Sequence, residues 1–186
     1  MRLKYFLGTC ACAALLLSSY SLDAVAQRVS LKTNALYWAT ASPNLGLEFR
    51  LNRHLTLDLE GAANRLTIGD NYSRIFHFSP EMRYWFSARP QAGHFVGLTG
   101  VAYDYKVCLS NKWHIGDAFG AGVTYGYSLV LGRHWSMETT IGLGLAHIRE
   151  KKYENSPTAV EPNEPNNSKW MPAPLKAGVT FVYIMK

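Results

Sequence analysis

The stretch best equipped for covalent chemistry is His77-Phe78-Ser79-Pro80-Glu81. In an extended chain, side chains two apart share a face, so His77, Ser79 and Glu81 would project together. A histidine beside a serine hydroxyl, with a carboxylate to orient it, is the set that turns a hydroxyl into a nucleophile. Arg83 continues that face, while Phe76, Phe78, Met82, Tyr84 and Phe86 occupy the opposite one. If the aromatic face is the outer one, the triplet points inward, where its polar members join a charge network instead of meeting a substrate.

The remaining histidines suggest no metal. His54 and His134 fall in turns, and His114 near Asp117 lacks further ligands. The glycines of "GLGLAH" and "GLTGVAY" sit in alternating stretches, with no strand-to-helix phosphate loop around them. No cofactor is expected.

The elements that must carry these residues are strands. "EFRLNRHLTLDLEG" (48–61) and "LVLGRHWSMETTIG" (129–142) are nearly the same phrase. Each is an Arg-His turn between two runs of alternating apolar and polar residues, which is a β-hairpin. Leu45, Leu47, Phe49 and Leu51 share a face before the first turn, and Leu55, Leu57 and Leu59 after it. Asp58 and Glu138 stand at matching places in the two copies. The same period predicts further strands over 29–39, 76–86, 94–106 and 175–185, eight in all.

Connections near 52–54, 87–93 and 132–134 are short, and 39–43 is brief. Those at 66–75, 107–117 and 150–174 read as long loops, the last rich in Pro, Asn and Glu. Eight alternating strands with this rhythm predict an antiparallel up-and-down transmembrane β-barrel of the outer membrane. Phe76 and Phe86 are ten residues apart on one face. At ~3.4 Å per residue and ~45° of tilt they span roughly 24 Å, the height of an outer-membrane apolar band. Phe95 and Tyr105 repeat that spacing, and Trp135 and Tyr183 complete the expected aromatic rim.

An eight-stranded barrel is filled by its own side chains. The expected lumen network comprises Lys32, Glu48, Arg50, Asp58, Glu60, Glu81, Arg83 and Glu138, with Asn34, Asp104 and Lys106 on the same face. Both signs are present, as buried charge requires. Tyr72, Trp113 and Trp170 are the expected loop contacts. Pro80 mid-strand predicts a bulge, because a closed barrel has no edge to excuse a missing donor.

The chain has 186 residues. Residues 1–26 read as a cleavable signal peptide, with a basic tip, a short apolar run and Ala24-Val25-Ala26, leaving 27–186 as one barrel domain. Leu7-Gly8-Thr9-Cys10 only loosely matches a lipidation box, since the apolar run continues past Cys10 and Cys12. Loss of Arg2, Lys4 and Asp23 with the leader reduces 19 basic and 13 acidic residues to 17 and 12, a net charge of +5. The basic residues are scattered, so nucleic-acid binding is not expected, whereas outer-membrane lipid is. Cys108 alone would remain, read as an incidental loop residue, and no internal disulfide is possible.

The phrases "LKTNALYWAT", "PNLGLEF", "SPEMRYWF", "GHFVGL", "GAGVTYGYSLVLGRHWSMETTIGLG" and "KAGVTFVYIMK" together resemble domain-of-unknown-function family 3575. That resemblance implies a small exported outer-membrane-type barrel of Gram-negative anaerobes, without an established activity. It also implies a non-enzymatic structural, adhesion or surface-assembly role with fimbria-type proteins as partners. Two other readings stand beside it. His77 and Ser79 are similar to the His-x-Ser pair of lipid A deacylases, which suggests a lipid-modifying enzyme. A soluble lipocalin-like barrel would alternate equally well, with Phe49, Leu57, Tyr125 and Leu143 lining a pocket.

Overall fold

The computed structural model describes residues 29–68, 71–87, 89, 91–109, 112–154, 165 and 167–185. The expected signal peptide, with Cys10 and Cys12, lies outside them. Eight antiparallel strands follow one another: β1 (Val29–Asn34), β2 (Asn44–Arg50), β3 (Leu55–Ile68), β4 (Asn71–Trp85), β5 (Gly93–Leu109), β6 (Lys112–Val130), β7 (Trp135–Glu154) and β8 (Asn167–Ile184). Each pairs with the next, and β1 pairs with β8, so the up-and-down sheet closes on itself.

The two Arg-His phrases form the same turn. Leu51 N and Asn52 N both donate to Leu55 O, and Leu131 N and Gly132 N both donate to Trp135 O. Each turn then docks on the following strand. His54 O accepts from Trp85 N at 2.7 Å and His134 O from Ile184 N at 2.8 Å.

Three expectations about elements need correction. The first strand stops at Asn34 instead of running to residue 39, and Ala35–Ala39 form a short helix, α1. The side chain of Asn34 accepts from Leu36 N, and Asn34 and Asn44 clamp one another through side chain and backbone. The loops expected at 66–75 and 107–117 are mostly strand. The β3–β4 ladder runs unbroken to Ile68↔Asn71 and the β5–β6 ladder to Leu109↔Lys112. Much of 150–174 likewise belongs to β7 and β8. There, both faces of the sheet carry polar residues. The apolar alternation vanishes while backbone pairing continues.

Pro80 produces no bulge. Phe78↔Ala102 and Glu81↔Thr99 keep one register, which sets Pro80 opposite Gly100. Gly100 O accepts from the Ser79 hydroxyl at 3.0 Å and the Thr99 hydroxyl at 3.2 Å, so side chains serve the acceptor next to the missing proline donor. The bulge lies in β8, where Gly142 pairs with Lys176 and Leu143 with Pro174. The extra residue, Leu175, is buried together with Lys176, so both turn inward.

Strand lengths are uneven: β1 and β2 have 6 and 7 residues, β6 and β7 have 19 and 20. One side of the sheet therefore rises well beyond the other. Above Thr180, β8 pairs only with β7. Pro172 and Pro174 fall in that one-sided stretch, where a missing donor is tolerated.

Candidate functional site: a sealed charged lumen

Inside the closed sheet, Lys32, Arg83 and Lys176 meet Glu48, Asp58, Glu60, Glu81 and Glu138, all buried. Lys32 Nζ lies 3.1 Å from Glu48 and 2.7 Å from Glu138. The Arg83 guanidinium lies 2.8 Å from Asp58, 3.0 Å from Glu81 and 3.0 Å from Glu138. Lys176 Nζ lies 3.4 Å from Asp58, 3.0 Å from Glu60 and 2.7 Å from Glu81. Each cation touches at least three carboxylates, which is how charge survives out of water. Thr56 and Thr124 donate to Glu48 and Glu81 at 2.5 Å each. Gly97 gives this layer its room, since a Cβ there would collide with the Glu81 carboxylate and the Thr124 hydroxyl.

Seven of the expected network residues are thus brought together. Arg50 is not among them. It stands half-buried at the turn end, its Nε donating to Asn52 O. Asp104 and Lys106 also leave the lumen for the outer face, Asp104 being exposed. Lys176 was missing from the expected set. Its signal was the alternation Lys176-Gly178-Thr180-Val182 opposite Ala177-Val179-Phe181-Tyr183.

The turn end is sealed by Trp85, Phe95 and Gln91, all buried. Trp85 and Phe95 pack at 4.7 Å, and Arg83 lies over the Phe95 ring at 4.6 Å. Gln91, at positive φ, turns its amide inward to Ser30 Oγ at 2.5 Å, while Ser128 Oγ donates to its carbonyl. Phe95 was expected on the outer rim, as was Tyr105. Both stand on the lumen side of β5, Tyr105 in the row of Gly116 and Glu150. Phe95 fits inside because Gly126 faces it, where a Cβ would strike the ring. Val96 and Leu98 take the outer face instead.

The other end is closed by Val101, Ala146 and Leu175, packed with Tyr103 and Ala173. His77 stacks on Tyr103 at 4.5 Å and meets Tyr37 of α1 edge-on at 5.7 Å. No hydrogen bond joins His77 to Ser79, whose hydroxyl is held by Gly100 O and Thr99. Among the described residues, no group of three or more His, Cys, Asp or Glu is placed to hold a metal ion. Above this plug, Glu150 draws together Lys152, His114 and Asn167 at 2.8, 3.2 and 2.6 Å. Burial pushes its carboxyl up, but those three hydrogen bonds outweigh it and hold the pKa below the ordinary range.

Around the charged layer the outer face is apolar. Phe76, Phe86, Trp135 and Tyr183 project outward as expected, 55%, 59%, 51% and 38% exposed. The face carrying Phe49, Leu57, Tyr125 and Leu143 is this outer one, which overturns the lipocalin-like pocket. A shallow apolar hollow of about 600 Å³ crosses it, lined by Met82, Tyr84, Leu98, Val123, Ile141 and Leu143 among others. Trp170 is a strand residue, not a loop contact, and packs on His147 at 4.7 Å and Phe119 at 6.0 Å. Tyr72 and Trp113 are also in strands, 5.9 Å apart across Cys108. Cys108 is therefore a buried strand residue rather than one in a loop.

These features define a class: an eight-stranded antiparallel sheet closed on itself, polar within and apolar without. The chain matches the family described as protein of unknown function (DUF3575) over residues 11–185, and it belongs to that family. No curated protein matches it.

Proposed function

We propose that the protein spans the outer membrane as a barrel that does not conduct, and acts through the strands that rise beyond the apolar belt as a non-enzymatic structural or binding protein of the cell surface. One observation carries the reading: charge is inside and apolar side chains are outside, the reverse of a soluble barrel. Three buried cations and five buried carboxylates meet in the lumen, while Leu98, Val123, Ile141 and Leu143 each expose 60% or more of their surface. In water such a belt would be an aggregation surface; in a bilayer it is a lipid contact. The leader expected over residues 1–26 would direct export, and aromatic residues flank the belt toward both ends.

Two features favour a sealed lumen. Each cation is held by three or more carboxylates across the barrel axis, and side chains occlude both ends of it. Partners would then meet the tall wall of β3–β8, and a surface-assembly protein is the kind of partner its breadth suits. A nucleophilic role for His77 and Ser79 has no support in the geometry, because the serine hydroxyl already serves the backbone.

The test is fractionation of outer membranes from soluble periplasm, followed by a detergent gel of boiled and unboiled protein. Membrane recovery with a mobility shift on boiling is expected. Soluble recovery without a shift would overturn the reading.

A further inference from the structure

On the outer face of the tall wall, three cations stand side by side on adjacent strands. Arg65 of β3 pairs directly with Arg74 of β4, and Arg74 pairs directly with Lys106 of β5. Opposed residues on one face hold their Cβ atoms about 5 Å apart, so like charges there repel and destabilise the pair. This chain accepts that cost twice in succession. Among the described residues, none of the three makes an ion pair. Among the described residues, the outward acids of β5 and β6 are Asp104, two residues from Lys106 and opposite Phe76, and Asp117, which Arg149 engages in a salt bridge. Arg65 and Arg74 are exposed. Lys106 carries its ammonium over the Trp113 ring at 4.8 Å, which holds it at the surface.

The position of the row matters as much as its charge. Arg74 is two residues beyond the rim aromatic Phe76 on the same face of β4. At ~3.4 Å per residue and ~45° of tilt, it stands about 5 Å above that aromatic. This is the level at which lipid headgroups meet a barrel. Arginine binds phosphate through a planar fork of donors, and lysine as a point charge. We propose that Arg65, Arg74 and Lys106 form a docking row for the phosphate groups of the lipid packed against the belt on the side away from the Arg-His turns. This rests on the transmembrane reading above. Lipid phosphate would relieve the repulsion, so the row should bind it better than an isolated surface cation does.

The test uses the purified full mature chain folded in neutral detergent. Lipid A is titrated into the micelles, then dephosphorylated lipid A, and in a third arm inorganic phosphate, with tryptophan fluorescence as the readout. Arg65→Gln/Arg74→Gln/Lys106→Gln is compared with Arg53→Gln/Arg89→Gln/Arg133→Gln, which removes equal charge from the turn end. The row variant is expected to weaken phosphorylated lipid A binding at least about tenfold, while the turn variant keeps it. Removing the lipid phosphates should weaken binding to the unmodified protein by a similar factor. Equal weakening in both variants, or unchanged binding in the row variant, would overturn the assignment. So would competition by inorganic phosphate at the lipid's own concentration, which would mark a free-phosphate site. Boiled and unboiled gels of each variant show whether the barrel has folded. A wild-type protein without a mobility shift would indict the transmembrane reading, whereas a folded row variant that binds normally would indict the docking row alone.

Discussion

His54 lies stacked on Tyr84, ring centroids 5.7 Å apart and planes 20° apart, and its backbone carbonyl accepts from Trp85 N. His134 repeats the relationship with Tyr183 and Ile184 at 6.0 Å and 26°. The repeated Arg-His phrase is thus a device that fastens a tight turn to the next strand of the sheet. His54→Ala and His134→Ala should each lower stability by about 0.5–1.5 kcal/mol, the worth of one stacked pair. The double variant should be near the sum, because the turns share no partner. Urea unfolding in detergent, followed by near-UV circular dichroism, measures both. A loss above that range in either single variant would mean that the turn itself had rearranged.

Lys176 Nζ sits 2.7 Å from Glu81 and also reaches Asp58 and Glu60. Lys176→Met leaves Asp58 and Glu81 to Arg83 and takes from Glu60 its one ion pair among the described residues. The expected cost is about 3–5 kcal/mol, typical of breaking a buried ion pair from one side. Adding Glu81→Gln should restore part of it. A double-mutant cycle on unfolding midpoints would show the coupling. No recovery in the double variant would place the cost in lost packing around Leu175 rather than in charge.

Much of this lumen was legible in the sequence because one face of a strand is a strict parity rule. Glu48, Asp58, Glu81, Arg83 and Glu138 alternate with apolar neighbours, and their side follows. Parity failed where it was not expressed in composition. On β5, "VGLTGVAYDY" is apolar on both faces, so the inward turn of Phe95 depended on a hole left by Gly126 on another strand. Lys176 follows the parity of Gly178, Thr180 and Val182; what parity could not show is the bulge at Leu175, which turns that residue inward as well. The tall wall was illegible for a further reason. Where both faces meet water, hydrophobic alternation carries no strand signal, and pairing is decided by the neighbour already in place.

Gly126 faces the ring of Phe95, and a Cβ there would also press on Thr139 O. Gly126→Ala should therefore push Phe95 away from Trp85 and loosen the turn-end seal, at a cost of about 1–3 kcal/mol. Phe95→Leu in the same chain should recover part of that loss by vacating the space. Near-UV circular dichroism of Trp85 and the midpoint of unfolding are the measurements. An unchanged midpoint in Gly126→Ala would show that β6 can shift without cost.

The Glu150 cluster ties β6, β7 and β8 together above the plug, through His114, Lys152 and Asn167. Its carboxyl is held below the ordinary range in the folded protein. An acid with a depressed folded pKa stabilises fully above its unfolded value, about 4.3, and that contribution is lost as pH falls through the lower folded value. Acid should therefore loosen the upper ends of these strands. Hydrogen exchange at neutral pH and below pH 4, corrected for intrinsic rates, should show protection falling at Lys112–Gly116 and at Arg149–Lys152. Glu150→Gln should show the loosened pattern already at neutral pH and respond little to acid. Acid sensitivity of the same size in Glu150→Gln and wild type would assign the effect to other groups of the wall.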